Sequence, residues 1–503
     1  MTTLIKNVTI IDGSGTAPFV GDILVRDGEI MAVGRFPTYR ADRVVQGNEA
    51  YACPGFIDSN ASSDRYLTLF SSPIHKNFLE QGITSIVIGQ CGFSLAPSLY
   101  GPLRHMSDWA KTGMINSDWQ TTKEFLNSLE KSFSFGVNIA TLTGHKVIRE
   151  DLIKDPRTWR ALTENELKIF RSVLLSALAE GSFGLSTGLG YYPYQQTTQH
   201  ELQTLADVVA RAKGLYATHI RDEKMEILES VQETIRITHD TSVRTLINHL
   251  RPFYGYEGEF EKALELIESR ASDIPLYFLT NPFTYSVVPL DTFLPDDMKE
   301  MERDAVVALL SDKKNVARVV KQIPRLEAKN TIIVHAPEMA FLNGVSLYDF
   351  AAHRDLDASH ALVELIRMTK TKGFIFYENL NQAVLSRALV SPRALIATNS
   401  FGADVAPKFY PERARASFTK FLQEMSRSSI SLESTIARVT GIAAEVIGIS
   451  KRGRLQSGYA ADIVLLSRDF TPIRVWVNGV PVVEEGVVTA RVGEKYGKIL
   501  RRI

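Results

Sequence analysis

The sequence predicts an α/β protein: a (β/α)8 TIM barrel, with a small discontinuous β-sandwich built from both chain ends and an insertion over the barrel mouth. Three observations carry this. From about residue 53 to 450, short apolar runs alternate with helical stretches, and the runs number eight. Residues 1–52 and 451–503 instead alternate apolar with polar positions between tight-turn signals. The third observation is that polar residues able to bind metal or carry protons stand at the ends of the apolar runs.

The N-terminal part begins with Leu4–Ile11 before Asp12-Gly13. Asp22–Arg26 then faces Glu29–Val33 across Asp27-Gly28, a hairpin dipeptide. The C-terminal part repeats the texture: Ala461–Leu466, then Arg474–Val477 turning at Asn478-Gly479 into Val480–Val483. These segments are expected to pair into one domain, 1–52 with 451–503. The barrel is expected over 53–450. Its strands are read as Cys53–Asp58, Thr84–Gly89, Val137–Thr143, Phe183–Thr187, Leu215–His219, Arg244–His249, Ile274–Thr280 and Ala394–Asn399. The connection after Ser286 is too long for a plain crossover. It holds two helical stretches, Asp304–Leu310 and Val316–Gln322, and an extra apolar run, Thr331–His335. Residues 287–350 are therefore read as a lid inserted in the barrel.

Composition narrows the function classes. Lys plus Arg and Asp plus Glu are both 57, so no net basic surface is available for nucleic acid. No apolar run approaches the ~18 residues of a membrane span, and the N-terminus lacks the pattern of a signal peptide. Two cysteines, Cys53 and Cys91, make no disulfide framework and suit a reducing compartment. The expectation is a cytoplasmic protein with a small-molecule ligand and no nucleic-acid or membrane partner; the oligomeric state stays open.

Strand ends in this fold converge on one site. Asn60 and Ser62 follow strand one, Cys91 follows strand two and His145 strand three. His219 ends strand five, His249 strand six and Asn399 strand eight. Singly, a cysteine or histidine is usually core. Together on one rim, a thiolate and two imidazoles suit a tetrahedral Zn²⁺ with one open position.

At these residues the chain resembles the N-acyl-D-amino-acid deacylases (D-aminoacylases) of the amidohydrolase superfamily. The matching segments are Gly82–Pro97 around Cys91, Gly144-His145 with Arg149, Gly184–Leu189, Tyr216–Glu223, Ile247–Arg251 and Gly453–Asp462. The resemblance implies Cys91, His219 and His249 as ligands of one tightly bound zinc. It also implies a second, weaker metal position, built from a His-x-His pair and a strand-eight Asp that serves as general base and acid. Here those seats hold Asn60, Ser62 and Asn399. A substrate-binding Tyr of the family is replaced by Asn281, within Leu279–Phe283. Arg221, Arg251 and Tyr191, with Tyr192 and Tyr194 beside it, are further expected around the ligand. His145 and Glu223 are expected to brace the metal ligands.

Asn399 neither accepts nor donates a proton usefully near neutrality, and losing a general acid/base typically costs ~10²–10⁴-fold. Asp64, Asp404 and Glu223 are the carboxylates close enough in sequence to take over. Three functions follow. The first is a mono-zinc hydrolase of a C–N bond in a small N-acyl compound, with altered chemistry or substrate. The second is an inactive pseudoenzyme, a binding or partner subunit that keeps a structural zinc. The third is a zinc-assisted lyase or cyclase.

Overall fold

The computed structural model describes the chain except residues 100–117, 154–159, 192, 271, 300, 325, 406–410 and 503. Strands Thr2–Ile10, Phe19–Arg26, Glu29–Gly34, Arg43–Gln46 and Tyr51–Pro54 share one nine-stranded sheet with Ile463–Leu466, Pro472–Val477, Val480–Glu484 and Val487–Val488. Tyr51–Pro54 is the seam, parallel to Thr2–Ile10 and antiparallel to Ile463–Leu466. The core between them includes Ile5, Val8, Ile23, Ile463 and Trp476. Both hairpin dipeptides turn as their residues require: φ is 50° and 84° at Asp27-Gly28, and 49° and 79° at Asn478-Gly479.

The barrel strands are Phe56–Asp58, Ile83–Ile88, Asn138–Thr141 continuing as Thr143–Gly144, Gly184–Gly188, Leu215–His219, Arg244–Ile247, Leu276–Thr280 and Ala394–Ile396. Neighbours pair in parallel. A parallel bridge between Ala61 and Ser400 closes strand eight onto strand one. The run expected as a single strand, Cys53–Asp58, divides at Gly55. Its first half belongs to the terminal sheet. Gly55 is pressed on the Thr84 side chain, which lies 2.1 Å from where a Cβ would stand. Alternation sends Ile57, Val87, Leu215, Ala217, Leu246, Leu279 and Leu395 into one interior cluster.

The insertion is an antiparallel sheet of Tyr285–Pro289, Ile332–His335 and Phe374–Glu378, with helices Arg303–Leu309, Lys313–Val320 and Ala358–Met368. It has its own core, including Leu290, Ile333, Phe350, Leu362 and Ile375. It runs past Phe350 because its central strand is Phe374–Glu378, which pairs with both others. Its base meets the barrel rim where Arg251 Nη1 donates to Ser286 Oγ at 3.2 Å and Tyr254 N to the Asn379 carbonyl at 3.0 Å. Among the described residues, no helix is long and apolar enough to cross a membrane.

Candidate metal centre

Cys91, His219 and His249 come together at the C-terminal ends of strands two, five and six. All three are buried, and their ligand atoms lie within 4.8 Å of one another. His219 follows from strand alternation: Leu215 and Ala217 face the interior, so residue 219 does too. His249 does not. Leu246 faces inward and Ile247 packs outward, so unbroken alternation would turn His249 outward. Its backbone leaves the strand in the left-handed region, at φ 34°; Cys91 and Asn399 are left-handed as well, at 54° and 44°. Such backbone is costly for residues with a Cβ and gathers at functional sites.

The cluster is braced from behind. Glu223 Oε1 pairs with His249 Nδ1 at 3.0 Å, leaving His249 Nε2 3.4 Å from Cys91 Sγ. Glu223 Oε2 lies 3.6 Å from His219 Nε2 and accepts from Arg251 Nη2. Burial alone would raise the Glu223 carboxyl, but Arg251 and His249 hold it well below its usual range. At Cys91, burial again opposes ionisation, and His249, His219 and Arg65 overcome it, so the thiol is held well below its ordinary value. Burial would lower His219, yet hydrogen bonds to Cys91 and Glu223 push it up to about 9. Asn248 Nδ2 stands 3.6 Å from the sulfur. His219 Nδ1 is buried with no hydrogen-bond partner. A thiolate and two imidazoles, one of them with an orphaned ring nitrogen, backed by a supporting carboxylate, form a donor set that fits a divalent zinc ion.

The other half of the site lacks ligands. Asn60 is buried and neither side-chain atom has a partner. Its carbonyl accepts from Asn399 N at 3.1 Å, and the Ser400 carbonyl accepts from Ser62 N at 2.7 Å, so the three altered seats meet where the barrel closes. Nearby carboxylates are engaged elsewhere. Asp64 accepts from Gly89 N at 2.8 Å. Asp404, on the loop after strand eight, accepts from Ile74 N at 3.3 Å and Lys76 N at 3.4 Å. Asp58 is fully buried against Thr398, and burial pushes its carboxyl up to about 6.

Around the cluster, Tyr191 packs edge-on against His219, ring centroids 4.8 Å apart, and its hydroxyl accepts from Arg65 Nη1 at 3.4 Å. Asn281 is buried, its Oδ1 without a partner. Tyr194 hydrogen-bonds Glu150, and Tyr192 lies outside the described residues. Two expectations are corrected. Arg221 does not face the ligand: Nε and Nη2 chelate Glu233 at 2.7 and 2.8 Å, and Nη2 also caps the Thr197 carbonyl at 2.7 Å. Nor does His145 brace the metal ligands, because from the first position of the helix His145–Ile153 its Nε2 binds Glu201 at 2.8 Å, beside Arg149.

Sequence reasoning passed over two buried cations. Arg65 touches the Gln90 carbonyl at 3.1 Å and Tyr191, and stacks 4.5 Å over Phe93. It stands directly after the altered run Asn60–Asp64, and that placement was the available signal. Arg413 is buried near Tyr66, Tyr285 and Arg251, with Nε unpartnered; burial drives its guanidinium down to about 10. Among the described residues no carboxylate pairs with it, and nothing local in the sequence marks it.

The sequence profile of the amidohydrolase family matches residues 137–482. D-aminoacylase of Alcaligenes xylosoxydans xylosoxydans is 28% identical, with 99% of this chain and 97% of that protein covered. A solved D-aminoacylase structure, described as having a binuclear metal centre with one-metal activation and second-metal attenuation, superposes with TM-score 0.78 at 25% identity, covering 99% of each chain. N-acyl-D-glutamate deacylase of Bordetella bronchiseptica, solved with zinc and a phosphonate mimic of the tetrahedral intermediate, gives TM-score 0.81 at 25% identity, again over 99% of each chain.

Proposed function

Because this chain belongs to the amidohydrolase family, we propose that it is a single-zinc hydrolase that cleaves the amide C–N bond of a small N-acyl compound. The observation that carries this reading is the intact triad Cys91, His219 and His249, braced by Glu223, beside three seats, Asn60, Ser62 and Asn399, that have lost their ligand chemistry. Zinc bound there supplies Lewis acidity toward a carbonyl oxygen or a water molecule near neutral pH.

The protein's own residues then orient and hold. Glu223 fixes the His249 ring so that Nε2 faces Cys91. Tyr191 packs on the His219 ring, and Phe93 packs in turn on Tyr191, with 5.8 Å between their centroids. Arg251 is neutralised by Glu223, so Arg413, with Asn281 as a neutral partner, is the cation offered to an anionic group on the compound, and an anion there would offset its buried charge. Asn399 cannot protonate a departing amine. The compound expected is therefore one whose nitrogen leaves without a full proton, and turnover of ordinary N-acyl-D-amino acids is expected to be ~10²–10⁴-fold below that of an enzyme with an aspartate there. A cytoplasmic location and a small-molecule ligand, without nucleic-acid or membrane partners, accompany this reading.

The second reading, a ligand-binding pseudoenzyme with a structural zinc, is favoured by one observation: Asp64, Asp404 and Glu223 are all committed, so none replaces the missing acid. Elemental analysis of wild type and Cys91→Ala, followed by a hydrolysis screen over N-acyl-D-amino acids and N-acyl compounds with more acidic nitrogens, separates the readings. One zinc lost with Cys91, and turnover lost in His249→Ala, supports the hydrolase. One zinc without turnover supports the pseudoenzyme. Product formed without net water addition points to the lyase or cyclase, and a metal-free wild type overturns all three.

A further inference from the structure

The segment that lost the second set of metal ligands ends in a buried arginine. Arg65 lies one residue past Asp64 and is 8% exposed. Nη2 donates to the carbonyl of Gln90, the residue preceding Cys91, and Nη1 to Tyr191, whose ring packs on His219. The same Gln90 binds the Ser59 carbonyl through Nε2 at 2.7 Å and receives Asn248 Nδ2 at 3.1 Å. Arg65 thus stands on the wall that joins the Asn60 segment to the thiol, close enough to Cys91 for their charges to interact.

A second divalent ion held at the strand-one and strand-eight seats would stand beside the segment that carries Arg65, which Gln90 ties to the Ser59 carbonyl. Buried like charges are poorly screened, and a guanidinium does not escape by losing its proton. We infer that Arg65 is a fixed cation standing in for the second metal ion, so that the centre takes one divalent ion and refuses another even when the missing ligands are restored. This rests on the single-zinc reading above but concerns the second position only.

The test is zinc stoichiometry and affinity, by elemental analysis and calorimetry of the full-length protein, with zinc alone as probe. Asn60→His, Ser62→His and Asn399→Asp together restore the ligands. With Arg65 present, this triple variant is expected to hold the same zinc count as wild type. Adding Arg65→Asn should admit one more ion, the second site tightening by about 100-fold or more. Adding Arg65→Lys instead, which keeps the charge and changes the shape, should leave the count unchanged. An extra ion in the triple variant, no extra ion after Arg65→Asn, or an extra ion with Arg65→Lys would each overturn the inference. If the four-fold variant does not fold, the comparison is made in Asn60→His with Ser62→His, leaving Asn399 in place. A wild type without zinc would defeat the single-zinc reading separately, since the one-ion difference between variants is still read.

Discussion

Replacing Glu223 by Gln keeps the shape of the side chain and removes one charge from behind the metal centre. The carboxylate side chain is 10% exposed and serves three groups: His249 Nδ1 at 3.0 Å, His219 Nε2 at 3.6 Å, and Arg251 Nη2. A carboxamide has one acceptor oxygen for these, and its NH2 must face an imidazole or the guanidinium. Two separate losses follow. Arg251, 14% exposed, is left without its counter-charge; breaking a buried pair from one side costs about 3–5 kcal/mol, and the partial exposure places this case near the lower figure. Both ligand rings also lose their orienting partner, which typically weakens metal binding 10–100-fold. That is about 1.4–2.7 kcal/mol, and by linkage the stabilisation produced by saturating zinc shrinks by the same amount. Urea unfolding with and without zinc, together with a chelator competition, reads the two losses independently. Adding Arg251→Met removes the orphaned cation, so the zinc-free protein should recover most of its stability while zinc binding stays weak. A zinc affinity in Glu223→Gln within about three-fold of wild type would refute the orienting role. Affinity that returns in the double variant would show that Arg251, rather than ring orientation, was responsible.

Cys91→Ala should lose zinc by at least ~100-fold in affinity while the far-ultraviolet circular dichroism stays unchanged, because the barrel core does not depend on the sulfur. Gly190→Ala should do nearly the same through sterics, since its Cβ would stand 2.5 Å from His219 Nε2; zinc content measured on folded protein checks it. Arg413→Met should raise the thermal midpoint of the ligand-free protein and weaken binding of anionic N-acyl compounds at least about ten-fold, because it removes a buried cation that only an anion would offset. His75 is fully buried with Nε2 3.0 Å from Ser63 Oγ, and burial lowers its pKa to about 4. The unfolded chain takes up this proton first. The stability tied to neutral His75 is therefore present above about pH 6.5 and lost as pH falls toward 4. Unfolding midpoints between pH 7.5 and 4.5 should fall less steeply in His75→Gln; an unchanged slope would refute the assignment.

Much of the architecture was legible because it depends on local periodicity. Alternating apolar runs located all eight barrel strands, and the Asp27-Gly28 and Asn478-Gly479 dipeptides located their hairpins, since left-handed backbone at both central residues selects those side chains. The strand boundary at Gly55 and the full extent of the insertion were not legible. Both depend on partners remote in sequence: Ile463–Leu466 for the seam, and Phe374–Glu378 as the central strand of the lid.

The same division runs through the site. The sequence by itself determined which chemistry is available: one thiol and two imidazoles at strand ends, with Asn60, Ser62 and Asn399 in the remaining seats. That information lies in residue type and strand position, both of which are local. Only the tertiary structure decided where side chains point and which charges are already satisfied. A left-handed backbone accompanies the inward turn of His249 against strand alternation. Glu233 withdraws Arg221, and Glu201 withdraws His145. Arg65 and Arg413 are buried against residues 126 and 128 positions away in sequence, Tyr191 and Tyr285. A buried charge is placed by whatever the fold packs around it, and those partners are set by the closing of the barrel rather than by neighbours along the chain.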